Sequence, residues 1–517
     1  MGVKSEVKFG EKKYYQIVFL ATFFIGLLIH FYKISNNLLN HDSVLNYYSD
    51  QNMIISGRWF LSVACSFSTW FDLPWVTGLF TMFFIALTAV VVVDVLKIKN
   101  LKLACLSGAV LVSFPAVTET LFFGFTSDGY ALAMLLSSVS VWFAVRKSGK
   151  PWLNIIFSVV CLTLSIGIYQ AYLSFALVLL ICYAIKNIDS SSENYIDKKL
   201  KFVGKHIAIT GVSMALYYVI WKVLMLIQNV TPTDYQGINE VGFNLNTVIT
   251  APIRTIKSLA LLILERNIFK DGISLYSILN IALIFAGGLL FCLYCYKIKI
   301  HKKKGDLLFL ACCVISIPFV IYCWYFTSEG VVYVDRMLES ASLCIVLILT
   351  LVDMQNIKKI IKNISVTIIA LIVFNNFLMA NICYFFLQQE NDATISIATE
   401  MLVRIHDNEK GNSGKIFISG YRWINNEIID KYNIMPIRCI STTLTYMLRK
   451  DLLLSEDTTI SYLNNSLNCN FNKVDENEKE KIVATDEFKN MPIWPLKDSV
   501  KVINDVIVIK YSDEIDE

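Results

Sequence analysis

Asp42 stands in the run Asn40-His41-Asp42-Ser43, just past the first long apolar stretch. A carboxylate at a membrane edge can take the proton of an attacking hydroxyl as a general base. Asp and Ser also favour the N-cap of a helix, so the same residue has a purely structural reading. His41 beside it is a lone imidazole, a weak metal ligand on its own. Gly57-Arg58-Trp59 follows. The planar donors of Arg58 match phosphate oxygens, and Trp59 offers a face on which a sugar can stack. Arg and Trp are equally common as interfacial anchors.

Five more sites carry the same kinds of group. Glu119 and Asp128 bracket the end of the third apolar run, and Lys222 lies inside the seventh. A charge within the hydrocarbon costs roughly 2.5–3.5 kcal/mol on insertion scales, so such residues tend to face a cavity or a partner. Glu119 and Asp128 are therefore further carboxylates for proton transfer. Lys222 is either a cation for an anionic ligand or a side chain that snorkels to the interface. Tyr169-Gln170 sits at a hairpin tip, where Gln170 bonds a sugar hydroxyl or closes the turn. Asp335-Arg336 opens the tenth run, as a second phosphate clamp or as a local ion pair and cap.

The elements that must hold these groups are written in the apolar pattern. Of the 517 residues 55% are hydrophobic and only 17% charged, well below the charge content of a soluble domain. The charges fall in short blocks between runs of membrane-spanning length. The runs predict about eleven transmembrane helices, near 14–32, 73–96, 103–125, 129–145, 152–167, 169–185, 207–227, 275–296, 307–326, 337–352 and 366–386. The stretch from Trp152 to Ile185 is too long for one span, and its basic flanks favour a tight hairpin turning near Gly167. The first run is too long for a cleaved signal peptide and reads as a signal anchor.

Lys and Arg set the orientation. They crowd alternate loops, at Lys97, Lys99 and Lys102, at Arg146, Lys147 and Lys150, around Lys198–Lys205, at Lys297, Lys299 and Lys302–Lys304, and at Lys358, Lys359 and Lys362. The intervening loops hold few, among them Arg58, Arg254, Lys257, Arg266, Lys270 and Arg336. The N-terminus is thus expected in the cytoplasm and everything after about residue 388 outside it. The outer loops are the unusual ones. That from Lys33 to Leu73 is aromatic, acidic and amphipathic and should lie partly in the interface, and that from about Gln228 to Ser274 is long.

After Phe386 the composition turns polar. Residues 1–387 therefore read as a multi-pass transmembrane domain and 388–517 as a small C-terminal α/β domain. Ala393–Ile405 is a plausible amphipathic helix, and Lys415–Gly420 and Val506–Tyr511 read as buried strands. Most cysteines lie in or beside apolar runs, where they pack as small apolar residues. Cys439 and Cys469 are both in the outer domain, where an oxidising periplasm would allow a disulfide. The net charge of +4 argues against a nucleic-acid partner.

The ordered set Asn40-His41-Asp42, Gly57-Arg58-Trp59, Asp128-Gly129-Tyr130-Ala131, Gly167-Ile168-Tyr169-Gln170-Ala171 and Asp335-Arg336 resembles the Gtr-type (GtrII) glucosyltransferases. These are bacterial inner-membrane enzymes that modify O-antigen, a part of lipopolysaccharide. The resemblance extends to Met491-Pro492-Ile493-Trp494-Pro495 and the last strand, and so to essentially the whole chain. It implies a GT-C-like fold, a polyprenyl-phosphate sugar donor (typically undecaprenyl-phosphate glucose), a periplasmic acceptor glycan and inversion at the sugar carbon. It carries the base over to Asp42, where family members often have paired acids and this chain has Ser43 as the second residue. It implies no cofactor and leaves a divalent metal open. A transporter or flippase for lipid-linked glycans would also use many helices with Glu119 and Lys222 inside them. It would not account for large outer loops and an outer α/β domain, and no helix repeat points to alternating access. A glycan polymerase would share the outer-face chemistry but use a diphosphate-linked donor.

Overall fold

The computed structural model describes residues 2–188, 195–234, 237–239, 242, 244–264, 275–298, 300, 304–354, 359–408, 414–422 and 451–513. Arg266, Lys270, Lys299, Lys302, Lys303 and Lys358 from the orientation argument, and Cys439, lie outside the described residues. The chain forms two compact units. The first comprises the N-terminal residues to Ser35 together with Asp50–Asn381. The second takes Asn36–Ser49 and the described residues from Ile382 onward.

The first unit is helical: α1 (Gly2–Ser35), α2 (Pro74–Leu96), α3 (Leu101–Ser113), α4 (Pro115–Phe122), α5 (Gly124–Val145), α6 (Pro151–Ile168), α7 (Tyr172–Lys186), α8 (Tyr195–Gln228), α9 (Leu245–Leu264), α10 (Leu275–Lys297), α11 (Lys304–Ile321), α12 (Ser342–Met354) and the start of α13 (Lys359–Asn408). Among the described residues eight helices are long and apolar enough to cross a membrane, or nine if α3 and α4 form one bent span. The expected eleven are thus not all of spanning length: Tyr172–Lys186 and Gly305–Ile321 are shorter apolar helices, and α12 has 13 residues. Residues 228–274, expected as an outer loop, contain α9. Its apolar pattern is interrupted by Arg254 and Lys257, which hid it in a search for unbroken runs.

Local chemistry sets the breaks that matter. Pro115 disfavours helical geometry at Phe114, which is extended (φ −62°, ψ 142°). The chain bends by 42° there, and α4 carries Glu119 away from the line of α3. The long apolar stretch after Trp152 breaks at Tyr169, also extended (φ −154°), as the hairpin reading required. Asn100 caps α3 by accepting from the Lys102 and Leu103 amides. The Asp353 carboxylate receives the Lys99 and Asn100 amides at 2.7 and 3.0 Å.

The second unit is built on a four-stranded sheet, β1 (Lys415–Ser419), β2 (Asn472–Lys473), β3 (Val500–Ile503) and β4 (Val506–Lys510), in the order β2-β1-β4-β3. β1 is parallel to β2 and β4, and β3 pairs antiparallel with β4. Asn504 and Asp505, both at positive φ, make the two-residue turn between β3 and β4. Both sheet faces are covered. Ile416, Ile418, Ile507 and Ile509 pack with Met401 and Ile405 of α13, while Phe417, Val506 and Val508 pack with Ile482 and Phe488. Burial on both faces is why these strands read as continuous apolar runs. The amphipathic segment Ala393–Ile405 is the last part of α13, whose 50 residues run on from the eleventh apolar run. Asn36–Ser49 is strapped to the same unit. Asn391 accepts from the Leu39 amide at 3.1 Å and donates to the Leu39 carbonyl at 3.0 Å, and Ser461 donates to the Val44 carbonyl at 2.7 Å. The segment expected as the first outer loop is thus not one element but is divided between the two units.

Candidate functional site

In the first unit, three of the motifs interlock. Gly57 has φ +77°, and a Cβ there would strike Tyr217 Oη and come within 2.7 Å of Gln170 Nε2. Glycine is required on both counts. Gln170 Nε2 donates to the Ser56 carbonyl at 2.8 Å and to Tyr217 Oη at 3.1 Å. The Phe60 amide donates to the Gly167 carbonyl at 2.8 Å, and a Cβ at Gly167 would lie 2.7 Å from the Trp59 ring. Gln170 therefore closes the turn that presents Arg58, and Trp59 packs on the end of α6.

Arg58 projects from this turn onto aromatic rings. Its Nη1 donates to Tyr130 Oη at 3.1 Å, and its guanidinium lies 5.1 Å from the centre of the Tyr169 ring. Tyr130 and Tyr169 stack at 4.3 Å with their planes 9° apart. Arg58 is half-buried, and among the described residues its Nε has no hydrogen-bond partner and the side chain pairs with no carboxylate. Trp59 Nε1 likewise lacks a partner among them. A guanidinium in such a setting has donors left with which it can bind an anion.

Arg336 is handled differently. Its Nη1 donates to Glu119 Oε1 and its backbone amide to Glu119 Oε2, both at 2.8 Å. Its guanidinium also lies 4.2 Å from the centre of the Phe123 ring. Glu119 is fully buried, and Asp335 and Arg336 nearly so. The bend at Pro115 thus brings an acid from α4 to a loop 217 residues further on. Glu119 is the partner of Arg336 before it is anything else. Tyr169 lies within electrostatic range of both Arg58 and Arg336, so the two cations belong to one neighbourhood.

The remaining expected residues are placed as follows. Asp128 is fully buried at the start of α5, two residues before Tyr130, and its Oδ1 accepts from the Gly129 amide at 2.9 Å. Ser68, Cys65 and Asp72 surround it. Lys222 lies 5.4 and 5.5 Å from the Trp221 and Tyr218 ring centres on its own helix. Trp221 beside it donates to the Ile54 carbonyl at 2.7 Å, tying α8 to the Arg58 turn. Asp42 belongs to the second unit. It precedes the single turn Ser43–Leu45, but its side chain makes no capping bond; Asn40 accepts from the Ser43 amide instead. The Asp42 carboxylate is about half exposed and meets His41 Nε2 at 3.3 Å.

Several neighbours had no signal of their own in the sequence. Tyr217 is an unremarked aromatic in an apolar helix, and Tyr130 was visible only as part of Asp128-Gly129-Tyr130-Ala131. Arg254 of α9 lies 4.0 Å from the centre of the Tyr325 ring and donates to the Ser328 and Val331 carbonyls. Glu339 is buried three residues after Arg336; its Oε1 accepts from Ser342, and its Oε2 has no partner among the described residues.

The apolar helices and this buried group of arginines, tyrosines and acids define a polytopic membrane protein with a polar site where its helices break. A family model described as glucosyl transferase GtrII matches residues 31–346. The chain belongs to that family and is a membrane glycosyltransferase. The match is narrower than the whole-chain likeness expected above and stops within α12, before the sheet of the second unit. Searches of curated proteins and of solved structures find no match.

Proposed function

We propose that this protein transfers a hexose, glucose by family, from a polyprenyl-phosphate donor to an acceptor glycan of the O-antigen type. The reaction is assigned to the periplasmic face of a bacterial inner membrane, with residues 388–517 on that side. The observation that carries this reading is Arg58: a half-buried guanidinium with no acidic partner among the described residues, on a Tyr130–Tyr169 platform, inside the region matched by the family. Arg58 takes the donor phosphate. Arg336, aligned by Glu119, adds positive potential beside it. Trp59 and Tyr169 supply faces for the sugar or the lipid.

In the proposed step an acceptor hydroxyl oxygen bonds to the sugar's anomeric carbon from the side opposite the phosphate. The bond from that carbon to the phosphate oxygen breaks, and its electron pair leaves with the phosphate. Inversion follows from the opposite-side attack. Arg58 offsets the charge that grows on the departing phosphate. A carboxylate takes the hydroxyl proton; the family resemblance assigns this to Asp42, with Asp128, in the same unit as Arg58, next. Glu119 is the least suited of the three acids because Arg336 already occupies both its oxygens. The test is transfer by the purified full-length protein in vesicles carrying polyprenyl-phosphate glucose. Arg58→Ala should raise the donor concentration needed for half-maximal rate at unchanged folding, with Arg58→Lys intermediate. Full activity of Arg58→Ala at limiting donor would remove the clamp from the reading.

A further inference from the structure

Away from this site, a cavity of about 710 Å³ opens between α7, α8 and α11. Ligand pockets typically fall at about 300–1,000 Å³. Its walls include Leu177, Ile181, Ile207, Met214, Phe309 and Val320, and it carries almost no polar surface. Around it Leu308, Ile315 and Val219 are more than half exposed, as expected of helices facing lipid chains. Gly211 lines the cavity, and a Cβ built there would meet nothing, so the space is open at mid-helix.

One end of the cavity is chemically different. His206 lines it and is more than nine-tenths buried. Its Nδ1 lies 2.7 Å from the Phe202 carbonyl. A carbonyl only accepts, so Nδ1 carries the hydrogen and Nε2 of the neutral ring is an acceptor. That Nε2 is buried and has no partner among the described residues. Seven residues earlier, on the same face of α8, Lys199 meets Asp306 Oδ1 at 2.7 Å and lies 4.8 Å from the centre of the Phe309 ring. The second oxygen, Asp306 Oδ2, is again buried without a partner among the described residues. One unmatched acceptor thus lines a hydrocarbon-walled trough, and a second belongs to the ion pair that lies against Phe309 of its wall. A buried acceptor left unmatched is unfavourable, so the complementary ligand brings hydroxyl donors to this end. It also carries a long apolar chain for the walls.

We propose that the cavity holds one acyl chain of a bilayer phospholipid with a hydroxylated, glycerol-type head group. The chain lies along Leu177, Ile181 and Met214, and the head-group hydroxyls donate to His206 Nε2 and Asp306 Oδ2. This assignment does not depend on the glycosyl donor.

The experiment uses full-length protein in nanodiscs of equal phosphatidylglycerol and phosphatidylcholine, each in turn carrying a diazirine in its acyl chain. Photolabelled peptides are then mapped. Labelling of 199–214 and 305–321 should favour phosphatidylglycerol about tenfold, roughly the worth of one hydrogen bond. Gly211→Phe should fill the open space and abolish labelling there while other peptides label as before. Gly211→Leu serves if the phenylalanine variant fails to fold. His206→Phe should lose the preference for phosphatidylglycerol but keep the labelling. Equal labelling by both lipids, or labelling unchanged in both Gly211 variants, would overturn the proposal. So would label displaced only by added polyprenyl phosphate, which would hand the trough to the donor tail.

Discussion

The Glu119–Arg336 pair gives the most quantitative handle on this site. Glu119→Gln keeps the side-chain length but removes the charge that holds Arg336. Both groups are at least nine-tenths buried and share two contacts of 2.8 Å. Removing one partner of a buried pair typically costs about 3–5 kcal/mol, because the other charge is left uncompensated. A glutamine also turns one donor-bearing nitrogen toward an Arg336 N–H. Arg336→Gln alone should be similarly damaging, since it strands the carboxylate. The double variant Glu119→Gln/Arg336→Gln buries no lone charge, so its loss should be smaller than the sum by about 0.5–3 kcal/mol, the range for coupled neighbours. The assay is thermal unfolding of the purified protein in one detergent, with glucosyl transfer measured on the same samples. The double variant should regain stability but not donor affinity, because it still lacks the guanidinium. Strictly additive losses would refute the pairing, and restored transfer would refute a role for Arg336 with the donor.

Other outcomes follow from single contacts. Tyr130→Phe removes the hydroxyl that accepts from Arg58, a bond to a charged group worth about 1.5–3 kcal/mol, so kcat/KM should fall roughly tenfold to a hundredfold at normal protein level. Gly57→Ala combines a left-handed φ with a Cβ in the Tyr217–Gln170 bond, and a strained residue alone costs on the order of 1–3 kcal/mol, so expression and melting temperature should both drop. Asp42→Asn should leave stability unchanged, since no capping bond is lost, while transfer falls by about 10²–10⁴ as for loss of a general base; an unchanged rate would move the search to Asp128. A periplasm-active reporter joined to the C-terminus should be active and one joined after Lys304 silent, and the reverse would end the outer-face chemistry.

How much of this could be read from residues alone varies with the range of the interaction. Period and length gave the apolar helices, because each needs only its own twenty residues. The two inner strands were legible for the same reason: burial on both faces makes Ile416–Ile418 and Val506–Ile509 uniformly apolar. The break at Pro115 was local and yet its consequence was not, since nothing near Glu119 names Arg336 as its partner. Arg58 was visible as a cation, but its lack of a carboxylate and its tyrosine platform arise only when α5, α6 and α8 come together. The strap Asn36–Ser49 was legible as aromatic and half-apolar, but its bonds to Asn391 and Ser461 depend on residues more than 350 positions away. Helix α9 was missed because Arg254 and Lys257 break its apolar run, while its cation finds Tyr325 and two carbonyls in the fold.

The central claim is that the hexose changes covalent partner. The direct test places the purified protein in vesicles with polyprenyl-phosphate [¹³C]glucose and an acceptor glycan, and follows both by mass spectrometry and the anomeric signal by NMR. The account predicts that the acceptor gains one labelled hexose with inverted anomeric configuration, that free polyprenyl phosphate appears in equal amount, and that Arg58→Ala slows both together. Labelled lipid that changes leaflet while the acceptor mass stays constant would contradict it and make the protein a carrier of the lipid-linked sugar.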